Sequence, residues 1–193
     1  MEDIFSLYSL HGEEDYIGEP VSQLEHMLQA GELARKSGVD EEEILAAFFH
    51  DIGHLLAAAR VTDSMGSFGV TSHEQIGADF IRAKGFSEKV AALVGSHVEA
   101  KRYLTLKMPG YYEELSPASR RTLEFQGGMM VESEAALFEL DPLFESKVRM
   151  RLWDDQAKER IKTRIEISYF KALAYRHLLN YQKMDHDNKT SSI

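Results

Sequence analysis

Five of the chain's eight histidines, His26, His50, His54, His73 and His97, share a cysteine-free sequence with two well-placed aspartates, Asp51 and Asp154. Imidazole and carboxylate donors without thiolate suit iron, manganese, zinc or magnesium. His50 and Asp51 are adjacent, and His26 and His73 lie about 23 residues to either side of them. A metal site assembled from several helices has that distribution. Three histidines and a carboxylate would hold one ion with open positions. Four histidines and two aspartates could give each of two ions about three protein ligands if one carboxylate bridges. In the dinuclear arrangement Asp51 is the natural bridge, with His26, His50 and Asp154 on one ion and His73 with His97 on the other. Spacing alone does not prove that partition.

The elements that must position these residues read almost entirely as helix. Val21 to Ser37 carries an apolar stripe and stops at Gly38. Asp40 caps a following helix with Glu41, Glu42 and Glu43 in its first turn, where carboxylates favour the helix dipole. Ile44 to Ala59 is apolar around much of its circumference, so that helix is central and holds His50-Asp51. Arg60 to Thr71 reads as a loop. Helices are expected at Ser72–Lys84, Ser87–Tyr103, from Ser116-Pro117 to Gly127, and at about Ser133–Leu140, Pro142–Trp153 and Ile165–Tyr181. His26 then lies in the first bundle helix, His73 at the start of the third, His97 within the fourth and Asp154 at the end of a late one. No segment alternates with period two. The expectation is an all-α helical bundle, one domain over residues 1–193, with a polar tail from Met184 to Ile193 that frays.

A histidine on an apolar helix is usually a hydrogen-bonded core residue. Asp51 argues otherwise, because a carboxylate in the most apolar helix costs several kcal/mol to bury unless it is paired or coordinates a metal. The formal net charge of −10 excludes a basic nucleic-acid surface, yet a site with metal ions and a few Lys or Arg side chains can still be locally positive. No apolar run approaches a membrane span, so a cytoplasmic protein without membrane or nucleic-acid partners is expected, its oligomeric state open.

His26, His50-Asp51 and Asp154 form the pattern of the HD-domain superfamily, all-α metal-dependent proteins that mostly hydrolyse phosphate esters. More specifically, Tyr16-Ile-Gly-Glu19, Gln23-Leu-Glu-His26, His50-Asp-Ile-Gly-His54, His73-Glu, His97-Val-Glu-Ala-Lys101, Ala118-Ser119-Arg and Arg151-Leu-Trp-Asp154 resemble the mixed-valent di-iron oxygenases that cleave 1-hydroxy-2-aminoethylphosphonates or their trimethylammonio counterparts. Myo-inositol oxygenase, outside this activity, shares the six-ligand di-iron design. The resemblance runs from about Tyr16 to Asp154. It implies an Fe(II)/Fe(III) pair held by His26, His50, Asp51, His73, His97 and Asp154, with O2 as co-substrate. It also implies a substrate chelating one iron through its 1-hydroxyl and a phosphonate oxygen. Oxidation at C1 then yields a carboxylate, and phosphate leaves.

His54, Lys101, Ser119 and Arg151 are the implied phosphonate donors, His54 and Lys101 also taking part in catalysis with Tyr16. His54 follows His50, and Lys101 follows His97, by one helical turn, and Arg151 precedes Asp154 by three residues, so each shares a face with a ligand. Glu19 would pair with the substrate's cation, and Tyr16 would offer a hydroxyl or a ring face; together they form a gate in the resembling family. The small run Leu55 to Ala59 favours a trimethylammonium over a primary ammonium, making glycine betaine rather than glycine the carbon product. The rival activity is a metal-dependent phosphohydrolase of nucleotides or phosphate monoesters, needing neither oxygen nor a redox metal. A non-catalytic helical module fits the buried Asp51 least.

Overall fold

The computed structural model describes residues 1–16, 18–58, 72–160 and 162–190, with backbone only at 182 and 184–190. The described residues form helices and a single isolated bridge, Asp15 with Ser22. In chain order they are α1 (Glu2–His11), α2 (Gln23–Lys36), α3 (Glu41–Phe49), α4 (Ile52–Ala58), α5 (His73–Ala83), α6 (Glu88–Val94), α7 (His97–Lys107), α8 (Tyr111–Glu114), α9 (Pro117–Phe125), α10 (Glu132–Glu139), α11 (Phe144–Gln156) and α12 (Ile167–Thr190). The loop expected at Arg60 to Thr71 lies outside the described residues.

Local chemistry accounts for the boundaries. Ser22 Oγ accepts from Glu25 N to cap α2, and Asp40 Oδ1 accepts the amides of Glu42 and Glu43, both at 3.0 Å, to start α3. Ser116 caps α9 with Pro117 in its first turn. Before α5, Ser72 adopts φ +60°, a left-handed conformation rare for a residue with a Cβ, and hands the chain directly to His73.

Helix α3 lies at the centre, packed on α2, α6, α11 and α12, while α4 packs on α5 and α7 on α11. Leu45, Phe48, Phe49, Ile52, Met27 and Phe170 are fully buried there, with Phe48 and Phe170 stacked at 4.3 Å between centroids. Helix α1, unforeseen from the sequence, covers this core with Ile4, Phe5 and Tyr8.

Two expected helices are each interrupted beside a histidine. His50-Asp51 lies not inside one helix but in the turn between α3 and α4. His97 opens α7 after a break at Gly95-Ser96. The cause is the same in both. The carbonyl of Ala47 accepts His50 Nδ1–H at 2.9 Å, and that of Val94 accepts His97 Nδ1–H at 3.1 Å. A side chain that bonds the preceding turn competes with the backbone ladder for its acceptors. Asp154 sits in the last turn of α11, which continues to Gln156. The final helix extends through Thr190, carrying the polar tail along on a helical backbone.

Candidate metal centre

The six expected ligands converge in the interior, delivered by α2, the α3–α4 turn, α5, α7 and α11. All are buried, His26 and His50 completely. His26 Nε2 stands 3.0 Å from His50 Nε2, and His73 Nε2 stands 2.9 Å from His97 Nε2. The Asp51 carboxylate lies between the two pairs. Its Oδ2 is 3.5 Å from His26 Nε2 and 3.4 Å from His50 Nε2, while its Oδ1 is 3.4 Å from both His73 Nε2 and His97 Nε2. Asp154 Oδ1 joins the first pair, 3.4 Å from His26 and 3.9 Å from His50.

Donors about 2.1 Å from one ion and 90–110° apart lie roughly 3.0–3.4 Å from one another. Most of the observed spacings match that around two centres sharing Asp51, the 3.9 Å between His50 and Asp154 being wider. The hydrogen-bonding outside the cluster points the same way. His26 Nδ1 bonds Ala157 O at 2.8 Å, so with the Ala47 and Val94 contacts three of the four rings donate outward to a carbonyl. His73 Nδ1 faces Glu74 Oε2 at 3.5 Å. With Nδ1 donating outward, each ring turns its Nε2 inward, where two nitrogens 3 Å apart repel unless a cation, a proton or a metal ion, lies between them. Asp51 Oδ2 and Asp154 Oδ1 are buried with no hydrogen-bond partner, a costly arrangement for carboxylates that coordination relieves. The residues fit metal ions.

The titration of these groups expresses the same demand for positive charge. Burial opposes charging His26, but the Asp154 and Asp51 carboxylates outweigh it and push the imidazole up to about 9. Burial likewise disfavours the carboxylates, yet the surrounding histidines, and Arg151 at Asp154, hold both well below the usual range. His97 is held well below 6.5, chiefly by burial, and stays neutral.

A cavity of about 50 Å³ opens on the second group, lined by Tyr16, Glu19, Asp51, His54, Lys101, Ser119 and Arg151 among others. Every substrate-contacting residue expected from the sequence is therefore at this cavity. His54 stacks on His73 at 4.0 Å, and burial with the neighbouring His73 charge lowers it to about 3. Tyr16 stacks on His26 at 4.0 Å, its phenol kept neutral by burial and by Asp51. Lys101, 3% exposed, donates to Thr122 Oγ1 at 3.0 Å. Arg151 spends its guanidinium on Asp154 Oδ2 at 2.6 Å, Tyr111 Oη at 2.9 Å and Asp155, so it clamps a ligand as well as lining the cavity.

Thr122, Gln126 and Lys158 went unnoticed in the sequence, and Gln23 was read only as the start of the motif that ends at His26, with no role of its own. Of these, Gln23, Thr122 and Gln126 line the cavity, and the Oε1 atoms of Gln23 and Gln126 are buried without a partner. Their signal was helical spacing: Gln23 is one turn before His26, and Thr122 and Gln126 follow Ser119 at successive turns of α9 and its end.

Comparison with known proteins adds an independent line. The family described as HD domain matches residues 24–126. A hydroxymethylphosphonate dioxygenase from Gimesia maris is 41% identical over 155 residues, 80% of this chain and 76% of that protein. The glycine-betaine-forming [1-hydroxy-2-(trimethylamino)ethyl]phosphonate dioxygenase of Leisingera caerulea is 37% identical over 163 residues, 82% of this chain and 80% of its own. An uncharacterized protein of Acanthamoeba polyphaga mimivirus is 45% identical over 175 residues, 91% of this chain and 80% of that one.

Proposed function

The chain belongs to the HD-domain family, alongside relatives that are hydroxyphosphonate dioxygenases, and from that premise we propose that it cleaves the carbon–phosphorus bond of a hydroxyphosphonate with O2 at a di-iron centre. The observation carrying this reading is the Asp51 carboxylate, whose two oxygens face two separate groups of ligand atoms. In this reading His26, His50 and Asp154 would hold one iron, His73 and His97 the other, with Asp51 between them. Nitrogen and oxygen donors suit iron, and a mixed-valent pair bound there would supply the redox chemistry for oxidation of C1 by O2.

The chain's own residues do the rest. Lys101, Ser119 and Thr122 present donors to the phosphonate on one wall, Arg151 stiffens Asp154, and His54, neutral beside His73, offers an imidazole to the substrate. Tyr16 caps the cavity over His26 and excludes water. The carbinol carbon leaves as a carboxylate and phosphorus as phosphate, the two oxygen atoms of O2 balancing the products. A cytoplasmic setting, reducing enough to keep iron partly ferrous, belongs to the same reading.

The test is phosphate release by iron-loaded protein from simple 1-hydroxyphosphonates, with oxygen supplied and then removed. Release that needs oxygen, with two irons per chain, is the expected result. Oxygen-independent release from phosphate monoesters instead would make the protein a hydrolase. Asp51→Ala is expected to lose both ions and all turnover, and activity retained in it would sink the bridging role.

A further inference from the structure

Glu19, the expected partner of a cationic substrate group, already has one in the structure. Lys158 Nζ lies 3.2 Å from Glu19 Oε1, the two side chains being 14% and 8% exposed. The same ammonium donates to Ser119 Oγ at 3.2 Å on the cavity wall. Lys158 is not a mobile surface lysine. Its neighbour Ala157 receives His26 Nδ1–H at 2.8 Å, and Glu159 is bracketed by Gln29, which donates to its carbonyl at 2.8 Å and accepts its amide at 3.0 Å. The backbone on both sides of Lys158 is thus tied to the helix that carries His26.

We propose that Lys158 is the built-in counter-ion of Glu19 and that this pair selects hydroxyphosphonates carrying no cationic substituent. The inference rests on the hydroxyphosphonate reading above. A carboxylate facing an ammonium in a poorly hydrated cleft has its charge answered, and a second cation arriving there meets a like charge. The contact is an ion pair by distance and not an aligned hydrogen bond, so Glu19 Oε1 keeps its accepting capacity for a neutral donor such as water. On this reading the substrate lies closer in kind to hydroxymethylphosphonate than to the trimethylammonio compound favoured by the apolar run after His54.

The deciding comparison uses 1-hydroxypropylphosphonate and 2-amino-1-hydroxyethylphosphonate, which share a shape and differ by one charge, with hydroxymethylphosphonate and the trimethylammonio compound alongside. Iron-loaded full-length enzyme is expected to show kcat/KM at least tenfold higher for the neutral member of the matched pair. Lys158→Met is expected to shrink that ratio at least tenfold, while Lys158→Arg keeps it. Glu19→Gln supplies an arm independent of any folding defect at position 158: with the carboxylate gone, Lys158 should raise the KM of the amino substrate further, about threefold or more. Equal or faster turnover of the cationic member, or a ratio unmoved in Lys158→Met and Glu19→Gln, would overturn the inference and leave the hydroxyphosphonate reading standing. No oxygen-dependent phosphate from any of the four would bring down that reading and this inference together.

Discussion

Lys101 donates from a site 3% exposed to Thr122 Oγ1, four residues after His97 and beside Arg151. Burial first, and the Arg151 charge next, push its ammonium down to about 7, with Asp154 and Asp155 pulling the other way. A phosphonate dianion binds the charged form. KM is therefore expected to rise as pH increases through 7, approaching tenfold per unit, whereas Lys101→Met should raise KM already at pH 6 and flatten that limb; a KM of the wild type that is level from pH 6 to 9 would remove Lys101 from phosphonate binding. Lys101 was legible only through the family resemblance, since a lysine one turn after His97 is by itself better read as a solvated surface charge. The convergence of the six candidate ligands was legible for a stronger reason, since a buried Asp51 among histidines has few other physical explanations. Lys158 was not, because its neighbourhood is set by Ala157 and Glu159 bonding to α2, contacts between segments about 130 residues apart. Arg151 was half legible: spacing placed it with Asp154, but only the fold supplies Tyr111 and Asp155, which leave its guanidinium shared.

At the scale of elements, the approach of α5 to α4 decides whether His73 reaches Asp51, and Gly53 permits it. A Cβ at Gly53 would fall 1.9 Å from the His73 carbonyl oxygen and 2.7 Å from its carbonyl carbon. Backbone on both sides cannot yield locally, so Gly53→Ala must push α5 outward. We expect this substitution to lower affinity for the ion at His73 and His97 by at least tenfold while His26, His50 and Asp154 keep theirs, read as loss of one of two irons per chain with helical circular dichroism retained. Two irons retained at wild-type affinity would show that α5 is not held at that distance. The glycine in His50-Asp-Ile-Gly-His54 could be read from the sequence, but not its purpose, which depends on a helix 20 residues further along. The breaks at His50-Asp51 and Gly95-Ser96 were hidden for a related reason. Apolar periodicity runs across both, and the agent of each break is a histidine bonding a carbonyl three residues back, which leaves no trace in the pattern. Caps at Ser22, Asp40 and Ser116, in contrast, are local chemistry and were open to reading, as was the absence of strand periodicity. Helix α1 does leave a local signal, since Ile4, Phe5 and Tyr8 have the spacing of one helical face.

Across the whole molecule, the candidate metal centre gathers its residues from α2, α5, α7, α11 and the α3–α4 turn, so ions bound there would cross-link the middle of an otherwise apolar bundle. Removing the ions leaves Asp51 and Asp154 buried, and protonation of His26 is what then answers their charge. His26 has a folded pKa of about 9 against 6.5 for the free imidazole. A raised folded pKa contributes its full stability below 6.5 and loses it as pH climbs through 9. The depressed carboxylates lose theirs only far toward acid, outside this window. Chelator-stripped protein is therefore expected to lose Tm steadily between pH 6.5 and 9. Iron-loaded protein should lose much less, because the ions neutralise the carboxylates without a proton and bind better as histidines deprotonate. At ligand a hundredfold above Kd, binding adds about 2.7 kcal/mol, which for a chain of this size is roughly 5–10 °C. The gap between loaded and stripped protein should be at least that large at pH 9 and narrower at pH 6.5. Parallel melting curves across the range would mean that the cluster is stabilised by something other than cations, and that the histidines facing one another at 3 Å are held by the bundle rather than holding it.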